Sequence, residues 1–294
     1  MTTRTELAPF RAALPARLIR PITGARWKAF PWWIAALGLV AAGTAYLVLS
    51  NPAYYEAFQF IRAGLGVTLT IALSAYAVAL VLGLLAGLGR ISENPLARNA
   101  ATFYVEVIRG VPMLVLIFFI ALVALPALID GLHSLGLWLT AQGLSGPGQM
   151  LGRLDSRSVS MNVRAVAALS ITYGAFLAEI FRGGIQSVDR GQMEAARSQG
   201  MTRAQAMRYI ILPQAFRVML PALGNDFISM LKDSSLVSVL AVRDITQVAK
   251  LYAGHSFRYT EAYTILAVLY LSMTMLLSAL VRLLERKAGS HASR

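Results

Sequence analysis

The sequence has no cysteine. That excludes disulfides, thiolate metal sites and cysteine nucleophiles together. Its three histidines, His133, His255 and His291, are far apart and show no ligand spacing, so no metal site is expected. Charge is scarce as well. Only 14% of the residues are charged, against about 25% in soluble domains. The acidic residues are the fewer, 14 against 27 lysines and arginines, which leaves a net charge of +13. A phosphate-cradling loop is also missing. It would need Gly-Lys followed by Ser or Thr, and none of the four lysines follows a glycine. Nucleotide hydrolysis by the common route therefore does not belong to this chain. Nor is there an early apolar core of the kind a cleaved signal peptide carries. About thirty mixed, basic residues come before the first apolar run, which then reads as an uncleaved span.

What the chain has in quantity is apolar residues, 57% of the total with a mean hydropathy of +0.60. They come in runs, and long uncharged runs read as membrane spans. Trp32–Ser50 is one, with Trp32, Trp33 and Tyr46 as interfacial anchors. Residues 65–88, 111–129 and 262–281 are three more. Residues 165–178 form a shorter run that continues helically through Glu179 towards Arg182. A sixth, 218–242, is interrupted by Asp226, Lys232 and Asp233. Lipid offers no partner for backbone polar groups, so all six are expected to be helices, and the fold class is all-α integral membrane. The excess positive charge could in principle serve nucleic acid, but the basic residues lie between the apolar runs, so membrane lipid is the expected partner. Placing the N-terminus inside concentrates arginine in residues 1–31, 183–217 and 282–294. It leaves only Arg62, Arg153, Arg157, Arg164, Arg243, Lys250 and Arg258 outside. The bias predicts both termini on the cytoplasmic side. Residues 130–164 then form a long outer loop, whose apolar 132–139 stretch is too short to span and reads as interfacial.

The inner loop 183–217 carries the sharpest pattern. Glu194-Ala195-Ala196 is followed, after three residues, by Gly200, and later by Ile210 and by Leu212-Pro213. Residues 192–199 suit a short helix, and Gly200 suits its end because glycine tolerates positive φ. Thr202 with Gln205 is a capping box that starts a second helix, and Pro213 limits its continuation. Ala195 and Ala196 leave one side small enough for another surface to approach. A DNA-reading helix–turn–helix with Arg197, Arg203 and Arg208 is the bland rival, but closely flanking spans speak against it. A plain connector is the other rival.

This loop resembles the coupling loop of importer-type ABC permeases, with EAA, Gly and I-x-L-P at the family spacing. The resemblance extends through residues 182–188, 223–229 and 232–236, and through Tyr104-Val105-Glu106 with Arg109-Gly110-Val111-Pro112. These look like the polar-amino-acid branch, the histidine-, glutamine- and arginine-type permeases. Asp189 stands where that family commonly has proline, and Met193 where it commonly has tryptophan. The similarity covers about residues 64–285, which implies a five-helix type-1 permease core. Added to it are a basic tail at 1–31, an extra helix at 32–50 and a short tail at 286–294. It implies a bacterial inner-membrane protein that moves amino acids with several partners. These are a separate cytoplasmic ABC ATPase dimer that binds the ATP and magnesium, an extracytoplasmic solute-binding protein and a second permease subunit, identical or related. Glu194, Ala195, Ala196, Gly200, Ile210, Leu212 and Pro213 would form the contact with the ATPase.

Charges within the spans are the remaining candidates, since charge at membrane depth is costly and often functional. Glu106 with Arg109, and Glu179 with Arg182, are i, i+3 pairs, each followed by glycine. They read either as gate-lining groups or as simple ion pairs with snorkelling arginine. Asn225, Asp226, Ser229, Lys232, Asp233 and Ser234 form a denser polar set. It fits a translocation path better than mutual pairing that only holds the bundle. The competing functions are an ABC permease for another small solute, a secondary transporter, which would usually show paired repeats with broken helices, and a membrane scaffold without transport.

Overall fold

The computed structural model describes residues 32–289, with side chains from 37 to 285. The expected basic tail 1–31 and the tail beyond 289, with His291, lie outside the described residues. The chain divides into two units between Tyr46 and Leu47. The described part of the first unit is most of one apolar helix, α1 (Trp32–Ser50), in which the Thr44 hydroxyl donates to the Val40 carbonyl at 2.8 Å.

Every regular element among the described residues of the second unit is a helix. Asn51 caps α2 (Pro52–Ile61) by accepting from the Ala53 N–H at 2.9 Å, and Pro52 sits in the first turn, where its missing N–H costs nothing. A short 3₁₀ turn joins α2 to α3 (Leu65–Arg90). The path Pro52–Arg90 is therefore 39 residues long and exceeds the expected run 65–88 at its front end. α4 (Pro95–Gly110) follows, capped by Asn94. It ends where Val111 must be extended ahead of Pro112. α5 (Met113–Phe119) runs through a π turn at Ile120–Ala124 into α6 (Leu125–Ala141).

Two expectations are corrected here. The span is Met113–Ala141, 29 residues, rather than 111–129, and the stretch 132–139 is its continuation rather than a separate interfacial piece. The expected outer loop 130–164 is correspondingly shorter, since the helix runs on to Ala141, and it contains α7 (Ser145–Gly152). The reason is the π turn. Pro126 has no N–H and would crowd the carbonyl four residues back. The Leu125 N–H instead reaches the Ile120 carbonyl, five back, and the helix passes the proline.

α8 (Met161–Gln186) is the most enclosed helix, and it packs along α3. Ala75, Ala79, Gly83 and Gly87 form the buried stripe of α3, four residues apart. A methyl group at Gly83 would lie 2.6 Å from Leu177 Cβ, so the two backbones approach as small residues in membranes allow. The Ser170 hydroxyl, which sits between them, contacts the Ala75 carbonyl at 3.1 Å. Beyond α8 come α9 (Arg190–Ser198), α10 (Arg203–Ala206), a π turn at Met207–Ile211 and α11 (Leu212–Asp233). The run 218–242 is not one helix. α11 starts at Leu212 and stops at Asp233, a 3₁₀ stretch continues to Leu240, and Ala241 turns left-handed at φ 57°. α12 (Ile245–Ser256) and α13 (Tyr259–Gly289) complete the fold.

Three apolar clusters lie among the described residues of the unit. The smallest joins α4 to α8 through Val105, Ala175 and Ala178, and the other two hold the bundle. The larger joins α3, α5, α8 and α11 through Ile71, Ile117, Leu169, Leu177 and Met230. The smaller joins α2, α12 and α13 through Ile61, Ile245, Tyr252 and Ile265. Among the described residues, four helical paths are long and apolar enough to cross a membrane: Pro52–Arg90, Met113–Ala141, Met161–Gln186 and Tyr259–Glu285. α11 has the length, but Arg217, Asp226, Lys232 and Asp233 lower its apolar character. α1 is described apolar from Leu37 onward.

Candidate functional site

The corner at residues 189–213 is built by caps. The Asp189 side chain accepts from the Gly191 N–H at 2.6 Å, so the residue that replaces the family's usual proline opens the helix as its N-cap. α9 closes with Met201 N–H on the Ala196 carbonyl at 3.2 Å and Gly200 N–H on the Arg197 carbonyl at 3.0 Å. That crossed pair is a Schellman motif, which needs a left-handed residue at Gly200, and φ there is +83°. A Cβ at Gly200 would meet nothing within 4 Å, so the demand for glycine comes from the backbone alone. Thr202 and Gln205 form the expected capping box.

The seven motif residues divide by direction. Ala196 is buried, and Ile210 and Leu212 pack half-buried against the larger cluster. Glu194, Ala195 and Pro213 are exposed. Of the two alanines, only Ala195 offers the open surface expected of both. Met193 is half-buried against the same cluster. Pro213 does not limit the second helix. As at Pro126, a π turn precedes it: the Leu212 N–H bonds to the Met207 carbonyl, and the helix continues into α11. The corner is tied to the α3–α4 turn by an ion pair between Arg203 and Glu93. Between them lies a cavity of about 420 Å³, lined by Leu88, Ile91, Asn94, Ala204 and Met207 among others.

At the same end of the bundle Glu179 gathers three arginines. Arg182 meets it at 2.7 Å, Arg109 at 3.3 Å, and Arg90 binds the same Oε1 that Arg109 does. Arg90 also holds Glu106 at 3.2 Å. The pair Glu179–Arg182 is therefore present, but Glu106–Arg109 is not formed. Glu106 is 63% exposed and Glu179 only 20%. The drier carboxylate exerts the stronger pull, and Arg109 crosses to it from α4. Arg90 escaped the sequence reading because an arginine at the end of an apolar run looks like an orientation marker. Only the packing of α3 on α8 reveals it as the bridge between Glu179 and Glu106.

The polar set of α11 also divides. Asn225 and Lys232 are exposed, while Asp226, Ser229 and Asp233 share a partly covered face. Tyr173 of α8 donates to Asp233 Oδ2 at 2.7 Å. Tyr76 of α3 donates to the Leu223 carbonyl at 2.5 Å, with its ring 4.6 Å from that of Phe227. Ser234 turns inward onto the Leu231 carbonyl. Asp226 Oδ2 is buried and meets no hydrogen-bond partner. Among the described residues neither Asp226 nor Asp233 is in an ion pair. The two tyrosines were not singled out from sequence, where an aromatic residue inside an apolar run carries no distinguishing signal.

Comparison with known proteins agrees with this architecture. Residues 79–290 match the family described as binding-protein-dependent transport system inner membrane components. The glutamine transport system permease protein GlnP of Escherichia coli K12 is 35% identical over 235 residues, 80% of this chain and 95% of that one. The probable amino-acid permease protein YxeN of Bacillus subtilis is 36% identical, over 79% of this chain and 92% of its own length. A solved amino acid ABC transporter with histidines superposes with a TM-score of 0.63 at 38% identity, covering 81% of this chain and 97% of that one. With most of its length matched, the chain belongs to the family of inner membrane components of binding-protein-dependent, ABC-type transport systems.

Proposed function

We propose that the chain is the permease subunit of an ABC importer for polar amino acids, coupled through residues 189–213 to a separate ATPase. The observation that carries this reading is the corner itself. The Schellman turn at Gly200 and the Thr202–Gln205 box hold two short helices at a fixed angle, with Glu194 and Ala195 facing out and Ala196, Ile210 and Leu212 anchored inward. A rigid corner rooted in the bundle can pass a push from a docked partner to α11, whereas a loose connector would absorb it. The likeness to GlnP, to YxeN and to the solved amino acid transporter supports the substrate class. On this reading the corner and both termini are cytoplasmic, a solute-binding protein delivers substrate from outside, and a second permease subunit encloses the path. The Glu179 cluster braces the cytoplasmic end. The Asp226–Asp233 face lines the route.

The test is reconstitution with the ATPase and the binding protein, measuring uptake and hydrolysis together. Gly200→Val forces a β-branched residue to positive φ. Glu194→Lys inverts the charge shown to the partner. Each is expected to abolish uptake, by uncoupling it from hydrolysis or by releasing the ATPase, while the permease still inserts. Normal coupled transport in both variants would reduce the corner to a connector.

A further inference from the structure

Away from the corner and the charged bundle, a cavity of about 490 Å³ opens between the first turns of α3 and α8. Its walls are Gly66, Val67, Ile71, Val163 and Val166, with Thr70, Ser74 and Asn162 as the polar members. A hydroxyl in a lipid-facing helix normally settles on a carbonyl three or four residues back. Thr68, Thr172 and Ser278 do so, at 3.1, 2.8 and 2.6 Å. Thr70, Ser74 and Asn162 are exposed and make no such bond, and the three come from two helices onto one space. In hydrocarbon these unpaired groups would be costly. Water and a polar solute would satisfy them.

The cavity walls carry no charge. Arg164, one turn into α8, spends its guanidinium on the carbonyls of Val159, Ala121 and Ser156 at 3.2, 3.2 and 2.6 Å. Hydroxyls and a carboxamide both donate and accept. They serve an ammonium and a carboxylate alike, and without a fixed charge they hold neither tightly. That chemistry suits the entrance of a path for zwitterions, where a solute must be admitted and then released inward.

We propose that this cavity is the water-filled outer mouth of the solute path, a subsite that takes small zwitterionic solutes through Thr70, Ser74 and Asn162. The proposal rests on the importer reading above and on its orientation. The natural chain has no cysteine, so single thiols report cleanly. Thr70→Cys, Ser74→Cys and Asn162→Cys are compared with Leu73→Cys, a 56% exposed residue beside Ser74 that does not line the cavity. Each is placed in the assembled transporter in right-side-out vesicles and treated with a membrane-impermeant methanethiosulfonate. Labelling is followed on the permease chain, and Ser145→Cys serves as the orientation marker.

Thiols form their reactive thiolate in water and not in hydrocarbon, so the three cavity positions are expected to react about tenfold faster than position 73. Their modification should stop uptake. Reaction at 70 and 74 no faster than at 73 would overturn the proposal, since lipid or another helix would then cover the cavity. Labelling of the cavity only in inverted vesicles would also overturn an outer mouth. If Ser145→Cys also labels only in inverted vesicles, the orientation reading fails with it. If Ser145→Cys still labels from outside, the importer reading stands alone. A second variant, Thr70→Val with Ser74→Ala, keeps the shape and removes both hydroxyls. Several-fold weaker half-saturation for uptake, at an unchanged amount of complex, is expected. Unchanged uptake would leave a wet cavity that binds nothing and would end the subsite assignment.

Discussion

Glu179 and Asp226 are both carboxylates set in long helices of the bundle, α8 and α11, and their surroundings are opposite. Glu179 has three arginines within ion-pair distance, drawn from α3, α4 and its own helix. Asp226 has a buried oxygen that meets no donor, a second carboxylate seven positions along at Asp233, and no ion pair among the described residues. The first site is electrostatically complete, and three helices depend on it. The second is left open at a cost in stability, which is the pattern of a group kept for something that arrives later. One end of the bundle is thus fastened by charge while the interior holds charge in reserve.

The largest effect should come from breaking the fastened site. Glu179→Leu leaves Arg109 and Arg182 without their carboxylate and Arg90 with Glu106 alone. Breaking a fully buried pair in this way costs about 3–5 kcal/mol, and the partial exposure of the arginines puts the loss towards the lower figure. Little folded protein is expected after detergent extraction, as read by thermal unfolding of the purified chain. If the variant is as stable as the parent, Glu179 is not the fastener. Asp226→Asn tests the other side of the contrast. Stability should hold or rise, because a lone charge is removed, while uptake in proteoliposomes falls sharply. A variant that transports normally would make Asp226 structural.

Tyr173→Phe lies between these two. It removes the single hydroxyl bonded to Asp233 at 2.7 Å, a bond to a charged group worth about 1.5–3 kcal/mol. A measured loss well above that range would mean that Asp233 belongs with the fastened groups. The smallest effect is expected at the exposed pair Glu93–Arg203. Its loss in Glu93→Gln should cost at most about 1 kcal/mol of stability. Hydrolysis stimulated by the binding protein, measured in the same sample, tells whether the pair also carries motion between corner and bundle.

How much of this was legible in the sequence depended on how local the cause was. Gly200, Thr202 and Gln205 act within one turn, and their reading held residue by residue. The apolar runs marked the spans because lipid leaves the backbone few choices. The failures came from causes outside the local window. Pro213 was read as limiting its helix, yet a π turn ahead of it lets the helix continue, as another does ahead of Pro126. The segment 130–164 was read as loop because Asp130 ends the uncharged run, although the helix continues past it, and because the stretch that forms α7 is rich in glycine. Arg109 was paired with Glu106 by spacing, but the choice of partner was made by the dryness of Glu179 on another helix. Arg90 and Tyr173 have no local signal at all, since each acquires its role only when α3, α8 and α11 are brought together.

The two π turns also change what a single rod can do. Each admits one residue beyond the ordinary count, which rotates everything after it by about 100° relative to everything before. The segment from Arg203 to Asp233 therefore behaves like a camshaft, one stiff axle with lobes set at different angles. Its first lobe, at Arg203–Ala206, is phased to the corner. Its second lobe, from Leu212 onward, is phased to the bundle and to Asp226. A sequence change on one lobe leaves the angular setting of the other untouched, so the surface at the corner and the surface in the bundle can each drift without dragging the other out of time.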